Sequence, residues 1–209
     1  MAKVENFIFI GAPGSGKDTQ IEGLCAKKNF KVVSTGDIAR KKGETDPKIS
    51  EILKRGGFIS DDLVEEWIKE AISKINPGKS LIIDGFPRSI SQAKKLEEIL
   101  IKNNREITKA IFLEVPNEKL VSRLSKRYSC KVGDRILSLT EEECIKLGGI
   151  SEKREDDNLE AIQTRIKLFH KKTEPLLAYF EKEGKLLKVN GDQTIEQVEN
   201  ELLSKLNLV

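Results

Sequence analysis

The run Gly11-Ala12-Pro13-Gly14-Ser15-Gly16-Lys17-Asp18-Thr19 places three glycines, a lysine and a hydroxyl in one short loop, a composition suited to grasping a chain of phosphates. Gly11, Gly14 and Gly16 let the backbone curl until several N–H groups point inward at one anion. A helix opening at Lys17 turns the positive end of its dipole on the same point. Lys17 adds a mobile charge for the outer phosphates, and the Thr19 hydroxyl can help to hold Mg²⁺. Against the pattern G-x-x-x-x-G-K-[ST], Asp18 follows the lysine and the hydroxyl comes one residue later. A glycine-rich turn between strand and helix can be plain connection. Here strand, glycines, lysine and threonine all fall in register, which favours phosphate binding.

A second signal is Leu81-Ile82-Ile83-Asp84-Gly85-Phe86-Pro87-Arg88. An Asp at the carboxyl end of an apolar strand lies where α/β sheets bind ligands, and it suits a water-mediated Mg²⁺ contact. The alternative for Asp84 is a turn cap before the next helix. A third signal is arginine. The chain prefers Lys on its general surface, yet Arg stands at 40, 88, 123, 127, 154 and 165, near loop or helix junctions. Arg makes planar, bidentate contacts to phosphate that Lys cannot. The sole histidine, His170, falls on a charged helix and reads as a surface residue.

These residues need a frame, and the hydrophobic pattern supplies one. Strands are expected at Asn6–Ile10, Lys31–Val33, Ser80–Asp84, Lys109–Val115 and Leu186–Val189, several of them near-continuous apolar runs, as in a parallel sheet covered on both faces. Helices are expected at Lys17–Lys28, Asp61–Ile75, Ile90–Lys102, Asn117–Lys126, Asp157–Phe180 and Thr194–Leu206. Ser60 reads as an N-cap ahead of Asp61-Asp62, and Thr194 with Gln197 as a capping box. The alternation predicts an α/β fold: a doubly wound, parallel, five-stranded sheet. Residues 36–60 and 128–153 break the alternation and are long for connections, so each is a candidate functional insertion.

Composition sets outer bounds. The 209 residues fit one domain with inserted pieces. Net charge is +3 with the signs well mixed, so neither a nucleic-acid footprint nor a polybasic membrane anchor is indicated. No apolar run approaches the roughly 20 residues that span a bilayer, and no signal peptide precedes the first strand. Three cysteines, at 25, 130 and 144, are too few for a disulfide framework and suit a reducing compartment. The expectation is a cytoplasmic monomer.

From Ile8 to about Gln193 the motifs resemble the adenylate kinases of the nucleoside-monophosphate kinase family. Gly11–Gln20 resembles their phosphate loop, including the displaced Thr. Ser34-Thr35-Gly36-Asp37 with Arg40 is similar to the segment that receives the acceptor nucleotide. Gly57–Val64, including Ile59, resembles the end of the monophosphate-binding insertion. Asp84-Gly85-Phe86-Pro87-Arg88 with Gln92 is highly specific to these kinases. Arg123 and Arg127 resemble the pair before the lid, and Arg154-Glu155-Asp156-Asp157 with Arg165 the return from it.

The resemblance implies Mg²⁺-dependent, reversible transfer, ATP + AMP = 2 ADP. It implies a core of 1–35, 61–127 and 154–209, a monophosphate-binding insertion at 36–60 and a lid at 128–153. Residues 11–19 would cradle the ATP phosphates, with Lys17 on the transferring group, Thr19 and Asp84 in the Mg²⁺ shell, and Arg123 and Gln193 near the donor nucleotide. Arg40 and Arg88 would grip the acceptor phosphate, Thr35 and Gln92 would read its base, and Ile59 and Gly85 would line its site. Arg127, Arg154 and Arg165 would close over the transferring group, positioned by Asp156 and Asp157. A UMP- or CMP-type kinase, or a P-loop protein that only binds nucleotide, are the alternatives.

Three departures from the family pattern stand out. Asp18 replaces its usual Gly, and the stretch from Arg40 to Asp61 is shorter than usual. In the lid, many bacterial relatives carry two C-x-x-C pairs that hold zinc, the second followed by Gly-Gly. Here Gly133 and Leu147 stand in for two of the four thiols, and neither can ligate. The expectation is a metal-free lid packed by Val132, Ile136, Leu137, Leu139 and Ile145. An irregular site completed by Asp134 or Glu143 is disfavoured, as is a Cys130–Cys144 disulfide in a reducing cytosol.

Overall fold

The computed structural model describes residues 4–133, 135–154 and 157–208. The chain runs β1 (Asn6–Ile10), α1 (Lys17–Lys27), β2 (Lys31–Ser34), α2 (Thr35–Gly43), α3 (Pro47–Lys54), α4 (Asp61–Ser73), β3 (Leu81–Asp84), α5 (Ile90–Lys102), β4 (Lys109–Glu114) and α6 (Asn117–Ser125). It continues through β5 (Arg127–Val132), β6 (Arg135–Thr140), α7 (Glu141–Lys146), β7 (Ile150–Lys153), α8 (Leu159–Leu168), a π-helical turn (Phe169–Thr173), α9 (Pro175–Lys182), β8 (Leu186–Asn190) and α10 (Ile195–Leu206). Among the described residues no helix is long and apolar enough to cross a membrane.

Five strands form one sheet in the order β2-β3-β1-β4-β8, every pair parallel. The doubly wound, five-stranded α/β sheet expected from the sequence is therefore present. Side chains alternate across its faces. Ile8, Ile10, Leu81, Ile83 and Phe112 point to one side, against Ile68 and Ile72 of α4, Leu96 of α5 and Phe180 of α9. Phe7, Phe9, Ile82, Ile111 and Val189 point to the other, against Leu24 of α1 and Leu202 of α10. A strand buried on both faces has little room for polar residues, which is why β1, β3 and β4 read as near-continuous apolar runs. All carboxyl ends face one edge, where β1 and β3 end beside each other at Phe9 and Asp84.

Local chemistry sets most boundaries. Thr194 and Gln197 form the expected capping box at α10. Ser60 precedes α4, but its side chain makes no capping bond, so the expected cap role is absent. The helix expected over Asp157–Phe180 is interrupted. Pro175 has no N–H to continue an α-helical ladder, and the chain inserts the π turn, with the Glu174 N–H donating to Phe169 O at 3.0 Å. At the other end Asn158, not Asp157, caps α8 by accepting the Ala161 N–H at 2.9 Å. That leaves the Asp157 carboxylate for other partners.

Residues 127–153 build a second, antiparallel sheet in the order β6-β5-β7, with α7 across it. The sequence reading placed no strands here and passed over the Thr140/Glu143 capping box that starts α7. Within this unit the disfavoured disulfide is present: Cys130 and Cys144 are both buried and joined, with Cα atoms 5.5 Å apart. The expectation of unpaired thiols is thereby corrected: β5 and the C-terminal half of α7 bring the two sulfurs face to face. Gly149 makes room for them. A Cβ there would fall 2.6 Å from Cys130 Sγ and 3.0 Å from Cys144 Sγ. Asp134 lies outside the described residues, and the Glu143 side chain is committed to its cap.

Candidate active site

The loop between β1 and α1 turns within a few residues, the Ser15 N–H closing the turn on Ala12 O at 3.1 Å. Gly14 sits at φ 83°, a left-handed conformation, and a Cβ there would meet Leu124 Cγ at 2.9 Å and Leu120 O at 3.0 Å. Lys17 opens α1 and folds back over the loop, its Nζ donating to Gly11 O at 3.0 Å and Ala12 O at 3.4 Å. Ala12 itself is buried beneath the loop, while the other residues of 11–19 line a cleft of about 530 Å³.

Asp84, at the end of β3, faces this cleft and is nearly buried. Its Oδ2 accepts from Ser34 Oγ at 3.4 Å, and its Oδ1 has no hydrogen-bond partner among the described residues. Burial pushes the Asp84 carboxyl up, opposed by the charge of Lys17; burial pushes the Lys17 ammonium down, opposed by Asp84 and Asp18. An orphaned carboxylate oxygen beside a desolvated ammonium is a poor way to build a core. It suits a site that takes up a polar group.

The arginines converge on the same cleft from four directions. Arg88 follows Asp84 on the next loop, its Nε donating to Gly85 O at 2.7 Å and its guanidinium lying 4.4 Å from the centre of the Phe58 ring. Arg127 heads β5, and Arg165 rises from α8. Both are held by Asp157, which Arg165 reaches through Nη1 at 3.1 Å. Arg154 lines the cleft just after β7. Arg123 donates to Gly191 O at 3.0 Å, at the end near Gln193, whose amide is tied to Asn190 O and Glu201. Arg40 pairs with Asp37 on α2. Asp156, expected beside Asp157, lies outside the described residues.

A second cavity of about 390 Å³ opens on the other side of Arg88. Thr35, Ile59 and Gln92 line it and do not reach the first. Thr35 Oγ1 donates to Asp84 O at 3.3 Å. Gln92 accepts the Arg88 N–H at 2.6 Å through Oε1 and donates to Asp61 Oδ1 at 2.8 Å through Nε2. Trp67 contributes a buried aromatic wall. The 36–60 insertion opposite this wall reaches the start of α8, where the cap residue Asn158 donates from Nδ2 to Lys54 O at 3.3 Å. The two cavities share Gly36, Arg40, Phe58, Gly85, Arg88, Arg154 and Arg165. Two separate chambers therefore meet at a wall of guanidinium groups.

Sequence reasoning missed Phe58, Trp67 and the β6 residue Ser138, all of which line these cavities. Phe58 and Trp67 look like ordinary core residues in sequence, and β6 was not recognised as a strand. His170 lines neither cavity; its ring nitrogens meet Glu174 and Asn117 on the surface.

Comparison with known proteins agrees with this geometry. A family model described as adenylate kinase matches residues 9–185. An adenylate kinase of Thermosipho melanesiensis is 37% identical over 209 residues, covering 95% of this chain and 98% of that protein. One from Thermosipho africanus is 35% identical over the same shares. One from Archaeoglobus fulgidus is 35% identical over 207 residues, covering 94% of this chain and 95% of that protein.

Proposed function

The chain belongs to the adenylate kinase family and is a phosphotransferase, and we propose from that premise that its larger cavity receives ATP and its smaller one AMP. The observation that carries the assignment is the shared wall of Arg88, Arg154 and Arg165 between two chambers, only one of which contains the phosphate loop. A molecule that merely bound nucleotide would need one chamber and no clamp between two.

The chemistry asks for little beyond alignment. An AMP phosphate oxygen is already ionised, so it attacks without a general base, which agrees with a His170 that lines neither cavity. What the transfer requires is two polyanions held in line and their charge neutralised as the phosphoryl group passes. The loop N–H groups and Lys17 hold the donor. Arg88 and Arg40 hold the acceptor phosphate, and Arg127, Arg154 and Arg165 surround the group in flight. Thr35 and Gln92 face the acceptor base. Arg123 and Gln193 flank the donor end.

Mg²⁺ fits this site. The orphaned Asp84 Oδ1 and the Thr19 hydroxyl line the donor cavity, and hard oxygen ligands of this kind suit Mg²⁺ held through water. Bound with ATP, the ion supplies charge neutralisation along the phosphate chain. Asp84 orients its water shell, and Lys17 stays on the terminal phosphate.

Water must be kept from the phosphoryl group, or ATP is hydrolysed without transfer. Residues 36–60 and 128–153 are the two segments that close over the core of 1–35, 61–127 and 154–209. The mixed charge carries no nucleic-acid footprint, and the reading is completed by a cytoplasmic monomer. A screen of AMP, UMP, CMP and GMP as acceptors with Mg·ATP tests the assignment. AMP is expected to be at least about tenfold more efficient than any other, a difference that needs only one or two base contacts. Equal or better turnover of a pyrimidine monophosphate would refute it.

A further inference from the structure

Asp18 has no role in the scheme above, yet it occupies a conspicuous place. It is the second residue of α1, next to Lys17, and its carboxylate lines the larger cavity. Its Oδ2 accepts from Ser138 Oγ of β6 at 3.4 Å, a long contact that nonetheless turns the side chain toward the small sheet. Arg127 and Arg154, at the same end of that sheet where β5 begins and β7 ends, line the same cavity. The arginine cluster therefore has carboxylates on two sides. Asp157 is fully buried and grips Arg127 and Arg165 from behind. Asp18 stands on the loop side, where the donor phosphates belong.

We propose that Asp18 is an internal counter-anion of the donor site, which competes with the terminal phosphates of ATP for the surrounding cations and so sets donor affinity. This rests on the reading of the larger cavity as the ATP site. The phosphates that follow the loop N–H groups end beside Lys17, in the cavity that Asp18 also lines, and two anions then share one set of positive charges. Asp18 is solvent-accessible but lies within the cleft. Its carboxylate shares that cleft with Lys17, Arg40, Arg127 and Arg154. With no donor bound, Asp18 offsets part of the repulsion among the arginines. With donor bound, it weakens the hold on the phosphates and favours their release. The acceptor cavity does not include Asp18, so AMP is little affected.

The test is titration calorimetry of the full chain with ATP and with AMP, for wild type, Asp18→Asn, Asp18→Gly and Asp18→Glu, with and without Mg²⁺. Removing the charge is expected to tighten ATP about three- to thirtyfold, with a smaller gain at high salt, since the effect is electrostatic and partly screened. AMP binding should stay within about twofold, and Asp18→Glu, which restores the charge, should bind ATP within about threefold of wild type. AMP binding also reports that each variant is folded. ATP binding that is unchanged or weaker in both neutral variants would overturn the proposal. So would equal tightening of AMP, or tightening that reverses when Mg²⁺ is added. If wild type itself fails to bind ATP or to form ADP from ATP and AMP, the assignment of the cavity has failed instead.

Discussion

Asp157 clasps Arg127 with both carboxylate oxygens, Oδ2 accepting from Nε at 2.7 Å and Oδ1 from Nη2 at 2.6 Å, while its own side chain is wholly buried. A planar guanidinium held at two points cannot swing, so Arg127 arrives at the cleft already aimed. Arg165 shares Oδ1, which ties two arginines from different segments to one anchor. Asp157→Asn keeps the shape but replaces one acceptor by a donor that opposes the guanidinium. kcat is expected to fall about 10- to 100-fold, with the KM for ATP changing far less. Steady-state kinetics check this, and a kcat within twofold of wild type would mean the clasp is only structural.

Arg88→Ala and Arg127→Ala should fail in different ways. Arg88 holds the acceptor phosphate before and during transfer, so its loss should raise the KM for AMP and also lower kcat. Arg127 acts chiefly on the transferring group, so kcat should fall by about 10²–10⁴ with a smaller change in KM. Lys17→Ala should abolish turnover and leave a folded protein, because among the described residues its Nζ bonds to loop carbonyls alone. Near-normal kinetics in both arginine variants would remove the clamp from the account.

The Cys130–Cys144 bridge makes a simple count. Denatured without reductant, the chain should show one free thiol, Cys25, and three after reduction. Closing a loop of this length contributes about 3 kcal/mol in the chain-entropy model, so a Cys130→Ser/Cys144→Ser variant should expose residues 128–153 to protease sooner. Three thiols before reduction would show the bridge to be absent in solution.

Arg105 is an arginine with a different task. Its side chain is 5% exposed, and it donates to Asn6 Oδ1 at 2.8 Å, Lys79 O at 2.7 Å and Asn76 O at 2.7 Å. It lines neither cavity. Arg105→Met strands those acceptors and should cost about 2–4 kcal/mol in denaturant unfolding. kcat measured well below the melting transition should be unchanged. A large fall in kcat with intact stability would place Arg105 in the reaction.

The parallel sheet was legible in the sequence because its three inner strands, β1, β3 and β4, are covered on both faces and are almost wholly apolar. The loop at 11–19 was legible because its glycines and Lys17 follow one such strand without a gap. The small sheet was not. Tyr128, Ser129 and Lys131 of β5 mix ring, hydroxyl and charge, since neither face of that strand joins a large core. The Cys130–Cys144 pairing depends on that unseen strand and so could not be weighed properly. Phe58 was invisible for another reason: its partner Arg88 is distant in sequence, and nothing local marks a ring that will underlie a guanidinium. The break at the π turn, by contrast, was written in Pro175 and should have been read.

The central claim is that phosphate passes directly between two nucleotides facing each other across the arginine wall. Incubation with Mg·ATP labelled in its terminal phosphate, plus unlabelled AMP, tests it most directly when product is separated in the first few per cent of turnover. The account predicts that the label appears in the terminal phosphate of ADP, one for each ATP consumed, with almost none released as inorganic phosphate. Label recovered mainly as inorganic phosphate, or none transferred to AMP, would contradict it.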